Sequence, residues 1–366
     1  MEKRNYNIDL FRIIAAFLVT VLHVLGKGGI LKSTSPNEIN YWIAWFLEIG
    51  AYCAVNCFAL ITGYVMYNKT IKAKSIIGLW FQVLFYSLLF TTLFFVFLPE
   101  TRTTENLVTA IMPVLKRQWW YVSSYFALWV FIPFLNKAIN SLSQQTYKKV
   151  LLLIMVVVCC IDCIVTTDAF TLNNGYSAIW LMIVYLFGAY IRKYNICEKT
   201  TSFKCIVGYF SMIILTFVSK MAIRFVTIDL LGQAKYENTF ISYISITILL
   251  SAIFLMMFCL KIKISNTASK LIRFISPASL GIYLIHVHPL VFNNIINNAF
   301  VSFADKSPIA MAFFAIAASL GIFVLCAIIE LLRIQFFKAI KMNKLSEFIA
   351  TKMNSFYLKV FEAKAK

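Results

Sequence analysis

Apolar residues run along this chain in long blocks, with no sustained alternation of apolar and polar positions. Blocks near the ~17–25 residues that a helix needs to cross a bilayer lie at roughly 8–26, 41–67, 75–98, 118–139, 149–165, 177–192, 204–226, 239–261, 275–298 and 308–332. The fifth and sixth are short. The pattern predicts an all-α, polytopic membrane helix bundle of about ten transmembrane helices, and an even count puts both termini on one side. Neither an internal repeat nor a Gly/Ser linker divides it. Residues 1–332 therefore read as one membrane domain and residues 333–366 as a tail.

Composition agrees. Of 366 residues, 61% are hydrophobic and only 13% are charged, where soluble domains carry roughly 25% charged residues. The net charge of +19 would suggest a nucleic-acid partner in a soluble protein. Here its distribution argues for topology instead. Of the 34 Lys and Arg residues, 24 fall on the amino end, the even-numbered loops with their flanks and the tail, 7 fall on the odd-numbered loops, and three lie inside spans. Basic residues stay cytoplasmic, so both termini are expected there, with attraction to anionic lipid as a secondary effect. Lys3 and Arg4 ahead of an apolar block superficially resemble a signal peptide. Arg12 and His23 inside that block, and the lack of a small-residue cleavage site, favour a retained helix.

Nine cysteines, seven of them inside blocks, suggest small packing residues rather than a disulfide framework. Cys160 and Cys163 have a CxxC spacing without a second pair, so no metal site is expected. The tail mixes lysines with Phe336, Phe337, Ile340, Leu345, Phe348, Ile349, Phe356 and Phe361, the pattern of a basic amphipathic helix on the cytoplasmic leaflet.

The candidate chemistry lies in charges at bilayer depth, where an Arg or Lys costs roughly 2.5–3.5 kcal/mol on insertion scales. Arg12, Lys220 and Arg224 are such cations, and Glu48, Asp162 and Glu330 such acids. The plainer reading is mutual pairing within the bundle. Arg12 and His23 are more specific. Eleven residues place them about 20° apart around one helix and roughly 16 Å apart along it, with the small Ala16 and Val19 between. Lys220 and Arg224 share a face one turn apart, either as paired or snorkelling cations or as a positive lining for an anionic donor or lipid-linked acceptor. Trp119, Trp120 and Tyr121 open the fourth block, as an interfacial belt or a stacking surface for a sugar ring. His286 and His288 precede Pro289, which can open the helix backbone.

These segments resemble the acyltransferase 3 family of membrane acyltransferases. NIDLFRIIAAFLVTVLHV is similar to its first helix, with Asp9, Arg12 and His23 at the family's Asp, Arg and His. VNCFALITGYVMY is similar to the segment ending in Ser/Thr-Gly-Tyr, here Thr62, Gly63 and Tyr64. QWWYVSSYFALWVFIPFLNK looks like the aromatic outer-face helix, and SLGIYLIHVHPLV like the late Tyr-Leu-x-His segment, with His286 at its His. Glu330 lies in the last block, where members often carry a Glu. The resemblance covers essentially the whole chain. One departure is KTIKAKSIIGLWFQ, where many members have Arg-x-x-Arg at the cytoplasmic start of the third helix. Lys69, Lys72 and Lys74 stand there instead, point charges that can meet donor phosphates without bidentate geometry.

The resemblance implies a multi-pass enzyme of a bacterial plasma (inner) membrane. It would move an acyl group, most often acetyl, from cytoplasmic acyl-CoA to a hydroxyl of a surface glycan or its lipid-linked precursor. Acyl-CoA is then a substrate, and no bound cofactor or metal is implied. His23 would act as general base or as a transient acyl carrier. Arg12 would hold an anionic group or orient the site, and Glu330 would pair with Arg12 or fix the His tautomer. Asp9, Trp119, Trp120, Tyr121, Lys220, Arg224, His286, Lys72 and Lys74 are the substrate-binding candidates. A transporter or flippase of a lipid-linked sugar or small solute, and a scaffold subunit, are the competing classes. Homo-oligomerisation is left open.

Overall fold

The computed structural model describes residues 4–165 and 168–357. Lys3 and Phe361 lie outside the described residues, as do the side chains of Asp162 and Phe356. Every regular element among the described residues is helical. The main helices are α1 (Tyr6–Leu25), α2 (Ile39–Ala51), α3 (Ala54–Met66), α4 (Ala73–Phe97), α5 (Trp120–Ser141), α6 (Gln144–Ile154), α7 (Ala178–Lys193), α8 (Ser202–Leu231), α9 (Ile246–Lys261), α10 (Asn266–Ile275), α11 (Ser279–His286), α12 (Pro308–Ala339) and α13 (Met342–Tyr357).

Seven helical stretches are long and apolar enough to cross a membrane: Tyr6–Ser33, Ile39–Met66, Ala73–Phe97, Trp120–Ser141, Ser202–Leu231, Asn266–His286 and Pro308–Ala339. The chain is thus a multi-pass membrane protein. The remaining predicted blocks are helical but shorter or less apolar. α7 and α9 have 16 residues each, and α6 begins in the polar run Gln144–Lys149 before continuing as a π-helical stretch, Met155–Asp162. The block at 275–298 is interrupted. Its helix begins at Asn266 and stops at His286, because His288 turns to extended backbone and Pro289 starts a new turn. The last span continues past residue 332 to Ala339, and the tail helix α13 begins at Met342.

α1 is the hub, packing on α2, α3, α9, α11 and α12. Its start is well specified. The Asn5 side chain accepts from the Asn7 and Ile8 amides, and Asp9 occupies the first turn. The Asn7 amide donates to the carbonyls of Cys259 and Ile262, tying α1 to the end of α9. α3 and α7 approach most closely. A Cβ on Gly63 would overlap the Tyr185 carbonyl oxygen, and one on Gly188 the Leu60 carbonyl oxygen. This contact needs the glycine of the Thr62-Gly63-Tyr64 segment, as small-residue helix interfaces in membranes do. Ile309, Phe313, Leu325 and Leu332 of α12 and Phe203, Leu215 and Phe225 of α8 stay exposed, the outer surface expected against lipid.

Candidate active site

A cavity of about 600 Å³ opens beside α1. One end is lined by Lys69, Thr70, Lys72 and Arg12, the other by Trp120, Tyr176 and Tyr243. Val19, Leu22 and His23 of α1 lie along it, with Tyr121 and Tyr125 of α5 and Tyr283 of α11. The shared face predicted for Arg12 and His23 is therefore a cavity wall. Val19 belongs to it, whereas Ala16 is buried among Trp119 and Ile282.

Arg12 donates to Asp9 at 2.8 Å, and Asp9 also receives Arg4 at 2.5 Å. Asp9 thus orients the guanidinium from behind and does not itself line the cavity. A third of the Arg12 side chain remains exposed, leaving donors for a ligand. At the other end of the α1 stripe, His23 Nδ1 lies 2.9 Å from His286 Nε2. His286 Nδ1 lies 2.5 Å from the Ile282 carbonyl oxygen. A carbonyl oxygen only accepts, so His286 Nδ1 carries a proton and neutral His286 presents a lone pair at Nε2. His23 Nδ1–H must then donate to it. That leaves His23 Nε2 as the unprotonated nitrogen, the arrangement of a general base held in one tautomer by a second residue. Phe292 packs edge-on to His23, with ring centroids 4.9 Å apart.

Glu330 sits elsewhere. It is fully buried and accepts from Arg333 at 2.5 and 3.0 Å, Gln82 at 3.0 Å and Tyr86 at 2.6 Å. Gly281 makes room for this carboxylate, since a Cβ there would overlap it. Glu330 therefore pairs with neither Arg12 nor His23. It clamps α4 to α12 and abuts α11 at Gly281, one residue before Ile282, whose carbonyl holds His286.

Lys220 is fully buried. Its ammonium donates to Glu237 at 2.9 Å and Asn238 at 2.7 Å, and lies 3.8 Å from the Trp45 ring centroid. Arg224 donates to the same carboxylate at 2.8 Å, and the Tyr41 hydroxyl also donates to it, at 2.9 Å. Glu237 lies in the loop after α8. Burial alone would raise its pKa, but the hydrogen bonds from Lys220, Arg224 and Tyr41 hold the carboxyl below the ordinary carboxylate range. Arg224 and Glu237 line a second, more polar recess of about 890 Å³ with Asp168, Asn174, Lys235 and Ser242. Tyr176 lines both spaces. It stacks obliquely on Trp120 and Tyr243, with centroids 4.6 and 5.0 Å apart.

The other candidates divide. Lys72 lines the main cavity, and Lys74 turns away to pair with Glu347 of α13 at 2.8 Å. Trp120 and Tyr121 line the cavity, whereas Trp119 is buried edge-on against His288, 5.5 Å between centroids. His288 joins a buried chain with Gln118 at 2.9 Å and Ser87 at 2.5 Å beyond it. Sequence reasoning gave no role to Tyr283, although it is the Tyr of the Tyr-Leu-x-His segment, and missed Tyr125. The i, i+3 spacing of Tyr283 and His286 on one helical face was the available signal for the first. Among the described residues no cluster of His, Cys, Asp and Glu is able to hold a metal ion.

A helical membrane bundle with a cavity that runs from cations to a histidine pair defines the class, a multi-pass membrane protein with a candidate active site between its helices. Residues 5–329 match the acyltransferase domain of the acyltransferase 3 family, and the chain belongs to that family. The match contains all of the cavity-lining residues and ends one position before Glu330. No curated protein and no solved structure matches the chain.

Proposed function

We propose that this acyltransferase takes an acyl group, acetyl in the first instance, from cytoplasmic acyl-CoA and transfers it to a hydroxyl of a cell-surface polysaccharide or its lipid-linked precursor. The proposal includes ten spans with both termini in the cytoplasm of a bacterial cell. The cavity carries this reading. It starts among cations suited to nucleotide phosphates, runs past apolar side chains such as Val19 and Leu22, and reaches His23 roughly 16 Å further along α1, a depth suited to an extended pantetheine arm. Lys69, Lys72 and Arg12 would meet the phosphates. The recess beyond Tyr176, lined by Asp168, Asn174, Lys235 and Ser242, offers hydrogen bonds and aromatic edges to a saccharide from the opposite face.

In the reaction, His23 Nε2 removes the acceptor hydroxyl proton as the oxygen attacks the thioester carbonyl carbon. The C=O electron pair moves onto oxygen, then returns as the C–S bond breaks. The departing sulfur takes the proton from His23. The products are an ester and free CoA thiol. His286 takes no proton and fixes the tautomer that makes this possible.

The test is His23→Ala in membranes carrying the protein and its glycan, supplied with labelled acetyl-CoA. Transfer of label into alkali-labile ester, and release of thiol, should both vanish while folded protein persists. Unchanged thiol release in the variant overturns the assignment. Translocation of the glycan by the wild type with no thioester loss favours a transporter.

A further inference from the structure

Six side-chain atoms among the described residues are buried without a hydrogen-bond partner: Asn40 Oδ1, Trp45 Nε1, Glu48 Oε2, Trp119 Nε1 and the hydroxyls of Tyr121 and Tyr283. Only the two tyrosines belong to residues lining the cavity with His23. A buried polar group left unmet carries the cost of its lost hydration, and such groups are few in native proteins and call for an explanation. Two hydroxyls bearing that cost on residues that line one cavity are poorly explained by packing, which phenylalanine would serve as well.

Their positions fit a shared task. Tyr283 precedes His286 by one turn of α11, so the helix that fixes the partner of His23 also fixes Tyr283. Tyr121 is the second residue of α5. The two rings pack edge to face with centroids 6.3 Å apart. A phenol is a neutral donor, and in a water-poor cavity it strongly stabilises negative charge that develops near it.

We propose that the Tyr121 and Tyr283 hydroxyls form an oxyanion site, donating to the thioester carbonyl oxygen of the acyl donor. The proposal rests on the acyl-transfer reading above. As His23 takes the acceptor proton and the new C–O bond forms, the carbonyl electron pair moves to this oxygen and the two O–H groups hold it. The pair then returns, the C–S bond breaks and the sulfur leaves with the proton from His23. Both phenols keep their protons throughout.

Tyr283→Phe and Tyr121→Phe, singly and together, test it in the full-length protein. The probe is labelled acetyl-CoA with membranes carrying the protein and its glycan, and the purified variants are melted in detergent. Each single variant should lower kcat by about 10²–10³-fold, the usual loss for one oxyanion donor. KM for acetyl-CoA should stay within about twofold, and Tm should hold or rise because an unmet hydroxyl has been removed. A kcat within about twofold of wild type overturns the proposal. So does a loss that comes with a lower Tm, or a raised KM at unchanged kcat, since those mark packing or ground-state binding. A wild type with no His23-dependent thioester loss defeats the acyl-transfer reading itself, and this proposal with it. The two failures are thereby told apart.

Discussion

Two places in this molecule put cations into apolar helices, and they end differently. On α8, Lys220 and Arg224 converge on one carboxylate, Glu237, with Tyr41, Asn238 and the Trp45 ring completing the shell. On α1, Arg12 has one carboxylate behind it, shared with Arg4, and faces a cavity in front. Both sites have the same insertion cost in sequence. What separates Lys220 from Arg12 is whether protein atoms enclose the cation or leave part of it open to a ligand. His23 repeats the lesson, because one ring nitrogen is engaged by His286 and the ring still lines the cavity.

The loss at His23 is the largest effect that the α1 side of this contrast predicts. The next tests whether His286 acts by position. His286→Phe removes the acceptor for His23 Nδ1–H and should lower acyl transfer by about 10²-fold or more, within the span of general-base contributions. His286→Gln retains a side-chain carbonyl able to accept that proton and should recover a substantial part. Equal losses in the two variants would break the tautomer argument.

Contacts made along one helix were legible in the sequence, and contacts between helices were not. A period of 3.6 residues puts Arg12 and His23 on one stripe, and continuous apolar blocks mark the seven long spans. The pairing of His23 with His286 joins residues 263 positions apart, and no periodicity encodes it. Glu330 was visible as a buried acid in need of a partner. Its partners, Gln82 and Tyr86 on α4 and Arg333 one turn on, depend on how α12 packs. Lys220 was read against acids inside spans, whereas its partner lies in the loop that follows. The end of the helix at His286 was foreshadowed by Pro289, although the 275–298 block ran through it on hydropathy alone.

The α8 cluster predicts a stability effect. Lys220→Met removes one member of a buried ion pair and should cost roughly 3 kcal/mol, at the low end for such losses, since Arg224 and Tyr41 still hold Glu237. Thermal melting should show it, with thioester cleavage per folded molecule unchanged, because Lys220 lines neither cavity. A fall in cleavage at unchanged Tm would move Lys220 to the α1 side of the comparison. The pH dependence has a definite sign. The folded Glu237 carboxyl is held below its ordinary value of about 4.3. Its contribution is therefore complete above that value and disappears as pH falls through the lower folded one. In Glu237→Gln this part of the acid dependence should be absent.

The smallest effect belongs to a third ion pair, Lys74 with Glu347, which joins the start of α4 to the tail helix. Both side chains are substantially exposed. The hydrogen bond from Lys74 lowers the Glu347 pKa, but water competes for each charge, and salt screens what remains. Glu347→Gln should leave Tm and acyl transfer unchanged within error at physiological ionic strength. The α13 contacts that persist are the buried Ser346 and Ala350, and they do not depend on charge. If the variant instead lowered transfer at low salt, with recovery as salt rose, an exposed pair would be acting on the donor mouth at long range. Lys74 would then join Lys69 and Lys72 as part of the charged entrance, and enclosure by protein would cease to be what divides working cations from structural ones.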